Sequence, residues 1–326
     1  MAAEVPQTYS LRAAARGLVS RYPGGMRISV IQMSAQPDVE ANLALIRKYI
    51  AGSAQNGADL VVFPEAAMFP FDSGRLDTVA QPLDGPFGRA IKATAEEHGI
   101  VAVVGMFTPA DTVFRLPNGE LSTERPDDSG GIQEFRRVTN TLLVAGPGIF
   151  AGYDKIHCFD AFGHQESATV RPGNRRVTFE LNGVKIGLAT CYDIRFPGHF
   201  IALAQSGAKV IVVPTSWADG PGKLDQWRAL TSARALDSSS YLVAAGMARP
   251  GSPEDYGKPE GPTGIGHSVV VSPQGAKLAE TGYAAQVVTV DIDPNSVDHV
   301  RKGLPILGGH NLDREITETI HIEPED

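Results

Sequence analysis

From Met26 onward, short apolar segments typical of strands alternate with segments typical of amphipathic helices, and this alternation leaves few folds open to the chain. Arg27–Met33 and Ile100–Phe107 are rich in the branched apolar residues that favour buried strands. Between them, apolar residues recur every three or four positions from Val39 to Gln55, which predicts an amphipathic helix. This alternation is typical of βα units and predicts an α/β fold.

Two turn signals add antiparallel strand pairs to this pattern. Asn182-Gly183 separates the predicted strands 177–181 and 184–190, and Gly146-Pro147-Gly148 separates two more. Asn-Gly is a strong signal for a tight hairpin, so a purely parallel barrel is excluded. The polar segment 109–136 predicts a long loop or a hairpin excursion. We therefore expect two apolar sheets covered by outer helices. The other predicted helices cover 87–98, 198–206 and 223–238, and a last one begins near Pro294.

No shift in composition divides the chain between residues 27 and 310. We predict one domain over 26–310, preceded by a loosely ordered extension over 1–25 and followed by a tail over 311–326. The extension carries three arginines among small residues and lacks the apolar stretch of a secretory signal.

Composition narrows the function classes. The net charge is −8, from 29 basic and 37 acidic residues, which argues against nucleic acid and anionic membranes as partners. No apolar run approaches the 18 or so residues that span a bilayer. Two cysteines are too few for a disulfide framework and suit the reducing cytoplasm. The composition therefore predicts a cytoplasmic protein whose partners include neither nucleic acid nor a membrane.

Three reactive residues each follow a predicted strand. Glu65 comes after Val61-Val62-Phe63-Pro64, Lys155 ends the second strand of a hairpin, and Cys191 ends the strand 184–190. Lys155 follows Glu65 by 90 residues, and Cys191 follows Lys155 by 36. Taken singly, each could be an ordinary structural residue. Cys191, however, precedes a short turn and a helix that begins with Pro197, where backbone N–H groups can stabilise a thiolate or an oxyanion.

Together, these three motifs closely resemble the nitrilase, or carbon–nitrogen hydrolase, superfamily over about residues 27–310. Further matching segments are Gln165-Glu166-Ser167, Pro214-Thr215-Ser216-Trp217, Arg234-Ala235 and Gly266-His267-Ser268. The resemblance implies a four-layer α-β-β-α sandwich that assembles as a homodimer or a larger homo-oligomer. It implies no cofactor, and no cluster of His and Cys in the sequence has metal-ligand spacing.

The resemblance also assigns roles to residues. Cys191 is the nucleophile and Glu65 the general base, while Lys155 and the backbone N–H of Tyr192 face the oxyanion. Glu166 matches the family's second glutamate, which positions the lysine or the substrate. His157 and His267 are interpreted as structural, and Cys158 as a small apolar residue.

The residues after the cysteine indicate a branch of the superfamily. Nitrilases proper usually follow the cysteine with Trp-Glu, whereas Tyr192-Asp193-Ile194-Arg195-Phe196-Pro197 resembles the branch containing omega-amidases and deaminated-glutathione amidases. Arg195 either binds a substrate carboxylate or pairs within the scaffold near Asp193. Tyr192 is a further candidate for substrate binding. Trp217 either forms a pocket wall or belongs to the core. The chain departs from the family at Gly198-His199, where a glutamate commonly follows Phe-Pro.

The sequence thus predicts a cysteine-dependent amidohydrolase that cleaves a small, carboxylate-bearing amide through a thioester and releases ammonia. One alternative is an N-carbamoyl amine or amino-acid hydrolase, which would use the same three residues on a ureido group. The others are a nitrilase and an amidase that supplies ammonia to a partner synthetase. A non-catalytic binding module would be expected to lack one of the three residues, and all three are present.

Overall fold

Strands and helices follow one another as the sequence patterns predict. The structure is a computed structural model that describes residues 24–125, 132–259, 261 and 263–308. Its strands in chain order are β1 Met26–Gln32, β2 Leu60–Val62, β3 Val101–Arg115, β4 Leu121–Ser122, β5 Gln133–Gly146, β6 Ile149–Asp154, β7 Asp160–Ala161, β8 His164–Gln165, β9 Thr178–Leu181, β10 Val184–Leu188, β11 Val210–Thr215, β12 Tyr241–Gly246, β13 Val269–Val271, β14 Lys277–Glu280 and β15 Gln286–Ile292. The helices are α1 Val39–Gln55, α2 Pro86–Glu97, α3 Pro197–Gln205, α4 Lys223–Ser238 and α5 Asn295–Gly303.

The strands form two large sheets. The first has the order β15-β1-β2-β3-β5-β6, with β4 paired to β3, and the second has the order β14-β13-β12-β11-β10-β9. Strands β1, β2 and β3 run parallel, as do β10, β11 and β12. The two predicted hairpins are confirmed, because β5 pairs antiparallel with β6 and β9 with β10.

Apolar side chains divide the molecule into four layers. One buried cluster joins the facing sides of the two sheets, with Val30 and Val62 from the first and Leu188 and Val212 from the second. A second cluster packs α1 and α2 on the outer side of the first sheet. A third packs α3 and α4 on the outer side of the second. The predicted α-β-β-α sandwich is confirmed, since each sheet buries both faces.

Of the two structures predicted for the polar segment 109–136, a long loop or a hairpin, the described residues form the hairpin. Strands β3 and β5 pair well beyond the core, from Ala102 opposite Ala145 to Arg115 opposite Gln133, with a register shift after Pro109. The shift occurs where proline cannot donate to the ladder. Of the predicted extension, Gly24 and Gly25 are described, and the predicted tail 311–326 lies outside the described residues. In the described part of the chain, every helix is too short or too polar to cross a membrane.

Two histidines are buried in uncharged form beside the second sheet. Nε2–H of His199 donates to the Leu188 carbonyl oxygen at 3.0 Å, and its Nδ1 has no partner among the described residues. Burial lowers the pKa of His199. Burial also lowers the pKa of His267, although Glu280 lies 3.1 Å from its Nδ1 and opposes the shift.

The free energy of unfolding is therefore expected to decrease as the pH falls. The unfolded chain takes up protons on both histidines near pH 6.5, whereas the folded chain resists doing so. This stability is complete above roughly pH 6.5, the ordinary pKa of histidine, and is lost as the pH falls below that value. Urea unfolding across this range measures the slope. A double variant, His199→Asn with His267→Asn, should show a shallower slope, and an unchanged slope would contradict the assignment.

Candidate active site

Glu65 lies just after the carboxyl end of β2, in a turn that packs closely against the neighbouring strand β3. Pro64 ends the ladder, and Ala66 adopts a left-handed φ of +57°. The neighbouring strand β3 has Gly105 at this point. A Cβ there would lie 2.6 Å from the Pro64 carbonyl oxygen and 2.9 Å from the Glu65 Cα. The absence of a side chain at Gly105 thus lets the turn pack against the sheet and bury Glu65.

Three donors hold the Glu65 carboxylate, which is only 1% exposed. Oε1 accepts from Asn140 Nδ2 at 2.7 Å and from Lys155 Nζ at 3.1 Å. Oε2 accepts from the backbone N–H of Ser216 at 2.8 Å. These donors come from β5, from the end of β6 and from the end of β11. The carboxylate is therefore fixed from both sheets, which is the preorganisation that a general base needs.

Lys155 is buried between two carboxylates. Strand β6 runs in the direction of β2 and β3, so Lys155 emerges at the same edge of the sheet as Glu65. Its Nζ lies 3.0 Å from both carboxylate oxygens of Glu166, and Glu166 also accepts from the Phe159 N–H. Burial alone lowers the pKa of Lys155, but Glu166 and Glu65 outweigh it and hold that pKa well above its usual value. The side chain is a fixed ammonium ion.

Cys191 lies at the end of β10, in a backbone conformation that few residues adopt. Its φ is +46°, and the 3₁₀ turn Cys191–Arg195 leads directly into α3. A left-handed φ at a residue other than glycine is costly and is found mostly at functional sites. A sharp strand-to-helix turn of this kind presents a nucleophile above the edge of a sheet.

The charges of Glu65 and Lys155 both act on the thiol of Cys191. Burial raises the pKa of this thiol, the Glu65 charge raises it further, and the Lys155 ammonium opposes them only in part. At neutral pH the resting sulfur therefore keeps its proton, and a reaction at Cys191 needs a base. Glu65 is the carboxylate whose charge acts on the thiol, and it is the candidate to accept that proton.

The structure brings Glu65, Lys155, Glu166 and Cys191 together, as the sequence predicts. It also shows partners that sequence reasoning missed. Asn140 and the backbone of Ser216 bind Glu65. The only sequence signal for Asn140 was a run of three polar residues, Thr139-Asn140-Thr141, inside an apolar strand, since a buried polar residue is the informative exception in a core.

Tyr192 and Arg195 belong to the turn that begins at Cys191, and Trp217 lies beside this turn. The Tyr192 ring meets Phe159 edge-on, with centroids 5.0 Å apart. Arg195 donates to Gln226 Oε1 at 2.7 Å, and its guanidinium carbon lies 5.2 Å from the centre of the Trp217 ring. Trp217 is buried in the cluster against which Cys191 packs. Arg195 therefore lies over the ring of Trp217, which belongs to the cluster that Cys191 also contacts.

In the structure, the scaffold partner of Arg195 is Gln226 and not Asp193 or its neighbours. Asp193 is bonded by Tyr153 and His157, and Arg195 bonds Gln226 instead. Cys158 and Cys191 are both free thiols. Burial and the Glu166 charge raise the pKa of Cys158 to about 12, which fits an unreactive apolar residue. Among the described residues, no group of three or more His, Cys, Asp or Glu side chains is arranged to hold a metal ion.

Comparison with known proteins decides the family. The family model described as carbon-nitrogen hydrolase matches residues 27–302. The chain belongs to the carbon–nitrogen hydrolase family. This carbon–nitrogen hydrolase is 42% identical over 288 residues to a Mycobacterium tuberculosis protein named only as a hydrolase. The matched region covers 86% of this chain and 94% of the relative.

Two further relatives of this carbon–nitrogen hydrolase are amidases. It is 30% identical to a deaminated glutathione amidase of Escherichia coli O157:H7, over 88% of this chain and 98% of the relative. It shares 27% identity and a TM-score of 0.63 with the structure of a mutant amidase from Nesterenkonia sp. AN1, over 89% and 98% of the two chains. The protein is thus a hydrolase of carbon–nitrogen bonds other than peptide bonds, and amidohydrolase activity is supported.

Proposed function

We propose that this hydrolase cleaves the carboxamide of a small, carboxylate-bearing molecule through a thioester on Cys191 and releases ammonia. The observation that carries this proposal is the convergence of Cys191, whose pKa burial and the Glu65 charge raise, with a buried Glu65 carboxylate that Lys155 binds at 3.1 Å. One arrangement supplies a nucleophile, its base and a cation for the oxyanion. In a mutant of the Nesterenkonia amidase, the acetamide moiety of fluoroacetamide is added covalently at the active-site cysteine, which supports a covalent role for Cys191.

In the acylation half of the reaction, Glu65 takes the proton from the Cys191 sulfur as the sulfur attacks the amide carbon. Negative charge develops on the carbonyl oxygen, where the Lys155 ammonium and the backbone N–H of Tyr192 stabilise it. The tetrahedral intermediate then collapses. The C–N bond breaks, the proton held by Glu65 passes to the leaving nitrogen, and ammonia departs from a thioester.

In the deacylation half, Glu65 takes a proton from water as the water oxygen attacks the thioester carbon. The C–S bond breaks, the sulfur recovers a proton, and the carboxylic acid leaves. Overall, one amide and one water become one acid and one ammonia. Glu166 keeps the Lys155 ammonium charged and in place, because it binds Nζ with both carboxylate oxygens.

A screen of ammonia release tests the substrate class. The panel consists of ω-amides of small dicarboxylic acids, N-carbamoyl compounds and nitriles. The proposal predicts turnover of the ω-amides. Ammonia from N-carbamoyl compounds alone would favour the alternative hydrolase, since Cys191 attacks amide and ureido carbons by the same steps. A nitrilase would release ammonia from nitriles alone. A synthetase-linked amidase would release ammonia only when its partner is present.

Arg195 is proposed to bind the substrate carboxylate, and Arg195→Lys tests this role. Lysine keeps the charge but loses the planar, two-point contact of the guanidinium. The catalytic efficiency toward an ω-amide is expected to fall by roughly 10- to 150-fold, which corresponds to about 1.5–3 kcal/mol. A neutral amide of similar size is the control and should lose much less. An equal loss on both substrates would assign Arg195 to the scaffold that holds Gln226 and Trp217.

A cytoplasmic location and a homodimeric or larger assembly are further proposals, and both rest on composition and on the family resemblance. Sedimentation or light scattering of the purified chain measures the assembly directly.

A further inference from the structure

The turn after the nucleophile contains a carboxylate for which the proposed chemistry has no use. Asp193 is fully buried and accepts four hydrogen bonds. Its Oδ2 accepts from Tyr153 Oη at 2.6 Å and from the Thr190 N–H at 2.8 Å. Its Oδ1 accepts from the His157 N–H at 3.0 Å and from His157 Nδ1 at 2.6 Å. Each oxygen thus has two donors, which is what a buried carboxylate needs to remain ionised.

These donors lie on both sides of the active site. Tyr153 lies two residues before Lys155, in strand β6 of the first sheet, and His157 lies two residues after Lys155. Thr190 immediately precedes Cys191, at the end of a strand of the second sheet. Asp193 is therefore a direct link between the segment that carries the lysine and the turn that carries the nucleophile.

The electrostatics agree with this link. Burial raises the pKa of a carboxyl group, yet the hydrogen bonds from His157, Tyr153 and Thr190 together hold the pKa of Asp193 below its usual value. Burial and Asp193 raise the pKa of Tyr153, so its hydroxyl remains a donor. His157 is also stacked on Phe196, with ring centroids 3.7 Å apart, which fixes the plane of the imidazole.

We propose that Asp193 is a positioning residue that sets the separation of the Lys155 ammonium from the Cys191 sulfur, through His157 on one side and Thr190 on the other. The inference rests on the proposed function, because it assigns Asp193 to those two groups. The link also holds the left-handed backbone of Cys191, since a strained residue persists only where its surroundings over-determine it. The oxyanion donors are effective only when they are held where the charge develops.

The first test is Asp193→Asn, which keeps the shape but replaces one acceptor oxygen with a donor. Steady-state kinetics of ammonia release on the best substrate of the screen should show kcat lower by about 100-fold or more, because a displacement of about 1 Å at reacting groups has an effect of that size. KM should change by less than about threefold, because Asp193 contacts no substrate in the proposed reaction. Asp291→Asn is the matched control. It breaks the Arg27–Asp291 ion pair on β1 and β15 and should leave kcat unchanged.

The second test reaches the same link from its other end and does not depend on the stability of the first variant. His157→Ala removes the ring donor, whereas His157→Asn retains a side-chain N–H near Asp193. We expect kcat to fall at least tenfold in the alanine variant and to recover to within about threefold of wild type in the asparagine variant. Thermal melting of each variant separates loss of folded protein from loss of turnover.

The outcomes distinguish the inference from the proposed function. Equal kcat in Asp193→Asn and wild type would overturn the inference, as would a lower melting temperature with unchanged kcat per folded molecule. Failure of His157→Asn to restore turnover would overturn it as well. If Cys191→Ala is inactive in the same assays, the proposed nucleophile stands in each of these cases. Activity in Cys191→Ala would refute the proposed function itself.

Discussion

Cys191→Ala is expected to reduce turnover by roughly 10⁴-fold or more, because removal of a covalent nucleophile eliminates the thioester route. Alanine fills the space of the cysteine without its sulfur, and no disulfide is lost because Cys191 is a free thiol. The melting temperature should therefore stay close to that of the wild type. Ammonia release under saturating substrate measures the first quantity, and thermal unfolding measures the second.

Cys158→Ala is the matched control, since Cys158 is the other cysteine of the chain and lies next to the same lysine segment. Its sulfur contacts the Val170 carbonyl oxygen at 3.6 Å and takes no part in the proposed reaction. We expect this variant to keep nearly full activity. Retained turnover in Cys191→Ala, or complete loss in Cys158→Ala alone, would transfer the nucleophile to another residue.

Lys155→Met is expected to affect both stability and activity. Methionine matches the length of the lysine chain but leaves Glu65 and Glu166 buried without their common cation. Loss of one partner of a buried ion pair typically costs about 3–5 kcal/mol, because the remaining charge is uncompensated. Loss of an oxyanion donor costs roughly 10²- to 10³-fold in kcat. Urea unfolding and ammonia release measure the two effects separately.

A second substitution separates these two effects. In Lys155→Met with Glu166→Gln, one of the stranded carboxylates becomes neutral, so part of the lost free energy of unfolding should return. Turnover should not return, because the cation that faces the oxyanion is still missing. If the single variant were as stable as the wild type, the ammonium would not compensate the buried carboxylates. If the double variant regained activity, the oxyanion role of Lys155 would be wrong.

Much of the fold could be predicted because the signals are local. The period of apolar residues distinguishes α1 from β1, and Asn182-Gly183 alone requires the antiparallel pair β9–β10. The sequence also predicted that Glu65, Lys155 and Cys191 each follow a strand. Strands that run in the same direction end at the same edge of a sheet, so strand ends were the right place to look for a site. The family model confirmed the interpretation of the fold.

The hydrogen-bond partners could not be predicted, because they depend on how two sheets face each other. Asn140 is 75 residues from Glu65, and the backbone N–H of Ser216 that binds the same carboxylate is 151 residues away. Neither strand register nor periodicity specifies such a contact. Arg195 illustrates the same limit, because its sequence position suggested either a substrate or a neighbouring acid, and the structure pairs it with Gln226.

The order of the elements, the two hairpins and the three reactive residues at strand ends follow from local sequence, because backbone geometry and side-chain period encode these features within a few residues. Two features emerge only when the sheets pack: the carboxylates of Glu65 and Glu166 share one buried ammonium, and Asp193 joins the two strand ends around the site. The reason is physical: burial and hydrogen bonding between distant segments exist only after the sheets have packed, and they set the charge state and the position of each reactive group.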